Sequence, residues 1–277
     1  MRRNNEDRLM GGHKPTPSEE VPKMANPMDF VTPSEFVPLP SRGRYPEGHP
    51  LHGKDSIEIN YMTARDEDTL TNRSLLKKGL AIDRLIQNLV KDKSIDARSL
   101  YIGDRNSIII HARASAYGSD YKTTVNCPNC GEGSRWKFDL SDYEEYLGTE
   151  WGDAEIKDNG DSTFNVTLPM SNILATFRPL VGQDEINLLS DSKLQDVQND
   201  LITKQMKCYV VSFNGYDDQK TIDYVCENMV ASDSRYLRQA FDLVSPDVKM
   251  VQNFNCKHCG HEEVVSVPFG TDFFWPE

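Results

Sequence analysis

The chain has 277 residues and a mass of 31.5 kDa, long enough to bury a core as one or two domains without help from a metal. Charged residues make up 27% and hydrophobic ones 38%, and mean hydropathy is -0.59, so part of the sequence is expected outside any core. A net charge of -12 opposes binding to a polyanion such as DNA or RNA, and no apolar run approaches the ~18–20 residues that span a bilayer.

Arg2 and Arg3 are followed by no apolar signal region, so the chain reads as a protein made and kept in a cytosol. Its six cysteines are then expected as thiols or metal ligands rather than disulfides.

Residues 1–54 hold nine of the fifteen prolines, with Gly11, Gly12, Gly43, Gly48 and Gly53, and show no helical or strand period. Proline fixes φ and removes an amide donor, so Pro33, Pro38, Pro40, Pro46 and Pro50 predict an extended, turn-rich arm. Phe30, Val31, Phe36, Val37 and Leu39 are apolar enough to dock that arm on a partner or on the chain's own body; a disordered leader is the alternative.

Ile57, Ile59 and Tyr61 alternate with Glu58 and Asn60, the pattern of a half-buried strand. Thr63 with Asp66 marks a helix start. Leu75, Leu76, Leu80, Ile82, Leu85, Ile86, Leu89 and Val90 recur at helical spacing, with Lys77, Lys78, Arg84 and Gln87 opposite, which predicts one core-facing helix. Another helix, over 104–117, ends at Gly118.

Strands are then expected at 121–126, 136–140, 163–168 and 173–177. Between them Asp139, Asp142, Glu144, Glu145, Glu150, Asp153, Glu155, Asp158 and Asp161 face only Lys157, a solvated loop or edge rather than a cation site. Leu188, Leu189, Leu194, Val197, Leu201, Ile202, Met206, Tyr209 and Val210 predict a second long helix or helix pair. Two shorter helices follow over 222–229 and 234–244, then strands at 251–255 and 263–267.

Cys127-Pro128-Asn129-Cys130-Gly131 and Cys256-Lys257-His258-Cys259-Gly260 share the form CxxCG, a zinc knuckle. Two intervening residues let both thiolates reach one metal across a tight turn, and the glycine lets backbone amides turn toward sulfur. Two knuckles supply the four sulfurs of a tetrahedral site, so one structural Zn2+ per chain is expected on Cys127, Cys130, Cys256 and Cys259. A redox CxxC opens a helix, whereas strands are expected around these. Because a four-cysteine site leaves no position for water or substrate, it stabilises without doing chemistry.

His258 and His261 are expected as exposed neighbours of the site, and Cys208 and Cys226 as buried thiols. No phosphate loop, HExxH or GxSxG is present, Asp158-Asn159-Gly160-Asp161 has the wrong spacing for a calcium loop, and His111 on its helix carries no signal of its own. No catalytic or cofactor-binding residue is therefore assigned, and no enzyme is expected. The fold class is α+β: an extended proline-rich arm (1–54), a strand plus helical module (55–120), and a discontinuous four-cysteine zinc ribbon (about 121–140 and 250–270) carrying a mixed, largely helical insertion (141–249).

Pro33-Ser34-Glu35-Phe36-Val37-Pro38-Leu39-Pro40-Ser41-Arg42-Gly43 with Tyr45-Pro46, then Met62-Thr63-Ala64-Arg65-Asp66-Glu67-Asp68 and Leu70-Thr71-Asn72, resemble the baseplate-hub protein family of T-even-type contractile-tailed bacteriophages. The likeness continues through Gly79-Leu80-Ala81-Ile82-Asp83, Gly103-Asp104-Arg105-Asn106, Ala116-Tyr117-Gly118 and the first knuckle, and returns at Val267-Pro268-Phe269-Gly270 and Phe273-Phe274-Trp275-Pro276. The resemblance implies a virion component of the tail baseplate, at or near the hub and made in the host bacterial cytoplasm. It implies tail assembly through contacts with other baseplate hub, wedge or tail proteins in a multi-copy structure, with no nucleic acid, membrane or small-molecule substrate, and it brings no catalytic residues.

Phe273, Phe274 and Trp275 read as interface anchors or as a packed C-terminal strand. Two other readings stay open: an assembly chaperone or catalyst absent from the finished particle, and a zinc-ribbon nucleic-acid module. The latter needs a basic, aromatic face near the knuckles, toward which Lys122, Arg135, Lys137, Lys257 and His258 contribute.

Overall fold

A computed structural model describes residues 32–78, 80–191, 201–267 and 271–274. The chain divides after Thr32, and everything below concerns the unit from Pro33 onward. Its architecture is mixed α+β, with eight α-helices and several small antiparallel sheets among the described residues.

The chain enters on β1 (Ser34–Pro38), which pairs antiparallel with β2 (Ser56–Asn60) and sets Val37 opposite Ile57. This differs from an extended arm running to residue 54, since Val37, Leu39, Tyr45 and Leu51 are all buried in the first core. The prolines hid the strand because Pro33 precedes it and Pro38 is its last residue, positions where no ladder amide is required of them. Tyr61 N–H donates to Pro33 O and Leu39 N–H to Asp55 O, so pairing closes at both ends. Of the apolar arm residues, Phe36 is 70% exposed, and Phe30 and Val31 lie outside the described residues.

α1 (Ala64–Thr71) starts as expected: the Thr63 amide and hydroxyl both donate to Asp66 Oδ2, at 3.0 and 2.8 Å, a cap worth about 1 kcal/mol. The single helix expected over 75–90 is instead two, α2 (Arg73–Lys78) and α3 (Ala81–Leu89). Leu80 N–H donates to Leu75 O, five residues back rather than four, so the register slips before α3 begins. Leu76 is left exposed while Leu85, Ile86 and Leu89 are buried. α4 (Ile102–Tyr117) is the longest helix described and ends at Gly118, whose φ is +85°.

Buried polar groups tie this half together. The Ser41 amide and hydroxyl and the Tyr45 hydroxyl donate to the Asp104 carboxylate at 2.9, 2.6 and 2.6 Å. The Tyr45 ring is stacked between His49 and Tyr101, with centroids 4.1 and 4.3 Å away. Arg105, also buried, reaches Asp83 at 2.7 Å and donates to Ala97 O, joining α4 to α3.

Beyond Gly118 come the hairpin of β3 (Asp120–Asn126) and β4 (Gly133–Asp139), then β5 (Glu144–Tyr146), β6 (Ile156–Asp158), β7 (Phe164–Thr167) and β8 (Leu174–Phe177). Next are α5 (Gly182–Asp191), α6 (Leu201–Tyr209), β9 (Val210–Phe213), α7 (Gln219–Asn228) and α8 (Ala231–Val244). β6, β7, β8 and β9 form a four-stranded antiparallel sheet in that order, and a second core gathers Phe177, Tyr209, Phe213 and Leu237 with residues of α7 and α8. α5 and α6 answer the expected helix pair, although Leu194 and Val197 lie outside the described residues.

The 158–161 segment is an ordinary turn between β6 and β7, with Asp158 accepting from Gly160 N–H and Asp161 from Thr163 N–H. Glu150, Asp153, Glu155, Asp158 and Asp161 are exposed, while Glu145 pairs with Arg42 at 2.5 Å. β10 (Asp247–Lys249) pairs with β5, so residues 147–246 leave and return through one narrow neck. β11 (Val251–Asn255) and β12 (Glu262–Ser266) make the last hairpin.

Phe273 and Phe274 are neither exposed anchors nor a strand. They sit on a 3-10 turn, Thr271–Phe274, buried in the first core, with the Phe273 ring 5.1 Å from Tyr121 and its carbonyl accepting from Arg113 Nε at 2.7 Å. Trp275 and residues 268–270 lie outside the described residues.

Candidate metal centre

Each knuckle is the tip of a hairpin, and the two tips are built alike. In the first, Cys127 N–H donates to Glu132 O at 3.0 Å and Gly131 N–H to Cys127 O at 2.8 Å; in the second, Cys256 N–H donates to His261 O and Gly260 N–H to Cys256 O, both at 2.9 Å. Gly131 and Gly260 hold φ of +74° and +70°, a conformation that costs a side-chain-bearing residue about 1 kcal/mol or more. The shared CxxCG spelling is thus a shared backbone turn that aims two sulfurs the same way.

The tips meet across more than 120 residues of sequence. All four ligand sulfurs lie within 4.8 Å of one another, with Cys127 Sγ to Cys259 Sγ and Cys130 Sγ to Cys256 Sγ each 3.7 Å. A tetrahedron with metal–sulfur bonds of ~2.3 Å has edges of ~3.8 Å, so the spacing suits zinc and is far beyond the ~2.05 Å of a disulfide. Cys127 and Cys256 are each 1% exposed, and Cys130 and Cys259 face solvent.

A small apolar cluster of Cys127, Phe254 and Cys256, backed by Val125, Trp136 and Val265, underlies the sulfurs. The Trp136 and Phe254 rings meet edge to face at 5.3 Å and bind hairpin to hairpin. Gln252 adds a polar tie, accepting from Asp139 N–H and donating to Asp139 O. Asn129 Nδ2 reaches Cys259 Sγ at 3.7 Å, a contact from one knuckle to the other's thiolate. The alternation of Trp136 and Phe138 along β4 was the signal for an inward face; nothing in the spelling pointed to Asn129 or Gln252.

Electrostatics also ask for a cation. The amide of Cys259, aided by that of His258 against burial, draws the Cys256 thiol down to about 6. Cys130 accepts from the Glu132 amide, yet the three other sulfurs push it up to about 12. Four thiolates at such spacing cannot ionise together unless a positive ion stands among them, and a divalent one leaves the site at a formal charge of −2. Cys127, Cys130, Cys256 and Cys259 therefore fit a zinc-type metal in number, softness, spacing and shape.

The remaining candidates fall elsewhere. His261 turns to Glu263 at 3.2 Å, and His258 is an exposed tip residue. Cys226 is buried on α7, where burial lifts its thiol to about 12, and Cys208 is half-buried on α6. His111 is half-buried with Nε2 3.1 Å from the Tyr143 hydroxyl. His49 Nε2 lies 2.9 Å from Ser99 Oγ, but its Nδ1 accepts from Leu51 N–H, so Nε2 carries the proton and cannot take one from the serine. Among the described residues no other group of three or more His, Cys, Asp or Glu converges as a metal site.

A family model described as T4 bacteriophage base plate protein matches residues 39–275, a span that holds both hairpins and all four cysteines. The chain belongs to this base plate protein family. No curated protein and no solved structure matches it. As a base plate protein it is a structural component of a phage tail baseplate, working in contact with other baseplate or tail proteins. Among the described residues no helix is long and apolar enough to cross a membrane.

Proposed function

We propose that this base plate protein sits at or near the hub, in several copies per particle, and acts in tail assembly through protein–protein contacts, with one structural Zn2+ on Cys127, Cys130, Cys256 and Cys259. The observation that carries the reading is the meeting of two matched knuckles inside a family match that spans 39–275. In this reading β3–β4 and β11–β12 are the halves of a zinc ribbon, residues 141–249 its insertion, and 55–120 the module beside it. A closed four-sulfur site leaves no coordination position for substrate, so when bound the metal supplies rigidity: it locks two hairpins whose own interface is a small apolar cluster. The protein's own residues position the sulfurs through the Gly131 and Gly260 turns and shield two of them from water.

A zinc-ribbon nucleic-acid reader is disfavoured by the same face that would have served it. Lys122, Arg135 and Lys137 do share the outer face of β3–β4, but Lys137 is paired with Asp120 at 3.0 Å, and Trp136 turns inward onto Phe254.

Metal analysis of protein purified without chelator tests the site: one zinc per chain is expected, lost in Cys127→Ser with Cys256→Ser. Antibody detection in purified virions tests the role. Presence supports a retained structural component, whereas absence from virions of a protein still needed for tail formation would establish an assembly chaperone instead.

A further inference from the structure

The two knuckle hairpins are tied at three heights. At the open end Gln252 exchanges hydrogen bonds with the Asp139 backbone, midway the Trp136 and Phe254 rings meet at 5.3 Å, and at the tip Asn129 Nδ2 lies 3.7 Å from Cys259 Sγ. The first two join parts of the fold to each other. The third ends on one of the four candidate ligands, so of the three it alone can act on a bound metal directly.

The sulfurs differ in what surrounds them. Cys127 and Cys256 are buried, so exchange of the ion with solvent has to begin at Cys130 or Cys259, which are exposed. Cys130 accepts from the Glu132 amide inside its own knuckle, a donor it keeps if that knuckle lifts away as a unit. The Asn129 amide reaches across 130 residues of sequence, so Cys259 cannot part from the first knuckle without breaking that bond. His258, at the matching position of the second knuckle, makes no side-chain hydrogen bond among the described residues, and the tie runs one way. Asn129 is itself exposed, and its side chain has no other hydrogen-bond partner among the described residues, so no local bond within its own hairpin accounts for where it points. A donor on a thiolate also draws off part of the negative charge that four sulfurs leave around a divalent ion.

We propose that Asn129 is a positioning residue for the metal: its side-chain amide holds the Cys259 thiolate in place and slows release of the ion through the exposed edge of the site. This rests on the four-cysteine metal reading above. Loss of such an outer partner weakens metal sites by roughly 10–100-fold, which sets the size of the effect.

The test mixes zinc-loaded full-length protein with excess coloured chelator and times release from wild type, Asn129→Asp, Asn129→Ala and, as a control, Gln252→Ala. Aspartate keeps the size of the side chain but puts a negative acceptor where the donor was, and should release zinc about tenfold faster or more. Alanine should accelerate release by about threefold or more, and it serves as the reading if the aspartate variant fails to load. Gln252→Ala loosens the hairpins without touching a sulfur and should stay within about twofold of wild type. With Co2+ in place of zinc, the thiolate-to-metal charge-transfer band should move to lower energy in the Asn129 variants, because a thiolate without its donor gives up charge more readily, and should not move in Gln252→Ala. Wild-type release rates in the Asn129 variants, equal acceleration by Gln252→Ala, or an unmoved band overturns the proposal while leaving the metal site standing. Wild-type protein that takes up neither metal overturns the metal reading, and this proposal with it.

Discussion

Asp104 and Asp233 are both buried carboxylates, and their surroundings move them in opposite directions. At Asp233 burial acts upward, but the amides of Met170 and Ser171, at 2.9 and 3.0 Å, outweigh it and hold the carboxyl below its usual range. A depressed folded-state value means stability that is present above the ordinary value of ~3.9 and lost as pH falls below it. Asp233→Asn should therefore destabilise by about 1–2 kcal/mol at pH 7, with the gap to wild type shrinking toward pH 3 in urea unfolding; a gap constant with pH would contradict the assignment. At Asp104 burial prevails over three donors and the carboxyl is raised, so its contribution runs the other way and weakens as pH climbs from ~3.9 through the raised value. Tyr45→Phe deprives Asp104 of one donor and the Tyr101 amide of its acceptor, and is expected to cost about 2 kcal/mol in the same assay.

At the scale of elements, α4 carries a prediction whose sign local propensity would get wrong. Alanine in place of glycine within a helix normally stabilises by about 1 kcal/mol. A Cβ on Gly103, however, would lie 2.0 Å from Pro246 O and 2.6 Å from the Asp247 Cα, both backbone atoms that cannot swing aside. Gly103→Ala should instead destabilise, by about 1–3 kcal/mol, with thermal melting as the measure. Elements whose cause is local were readable from the sequence. The Thr63–Asp66 cap, the Gly118 stop and the two knuckle turns each depend on residues a few positions apart, and all stand where they were expected. β1 was not readable, because a five-residue strand preceded by one proline and ending on another is made by its partner and by the core beneath Val37, neither of which its own spelling reveals.

For the whole molecule, contacts between distant segments decide the shape. Arg113 holds Phe273 across 160 residues and Asp104 holds Ser41 across 63, and side chains that look like surface anchors or ordinary helix polar groups become parts of a core. Only the cysteines announced such a contact in advance, because four-coordinate chemistry requires partners that a single CxxC cannot supply. Closing a loop of this size is worth about 4–5 kcal/mol in chain entropy by the cross-link argument. Chelation should accordingly lower the melting temperature and raise amide exchange in β3, β4, β11, β12 and the 271–274 turn, while the sheet β6–β9 keeps its protection. Uniform exchange increases would show that the clamp supports the second core as well.

The distance between the knuckles has a meaning in time. Translation runs from Cys127 toward Cys259 at about 5–20 residues per second, so the first pair of thiols waits roughly 6–25 s, across the 126 and 132 residues separating paired sulfurs, before its counterpart exists. The aromatic turn that Arg113 secures emerges later still. Only near the end of that interval, at Val244, does the second core have every residue it needs, whereas the first still lacks Val248, Met250, Val267, Phe273 and Phe274. Synthesis thus makes the last residue of the second core available before the residues that close the first core and before the second knuckle, which the metal staples to the first.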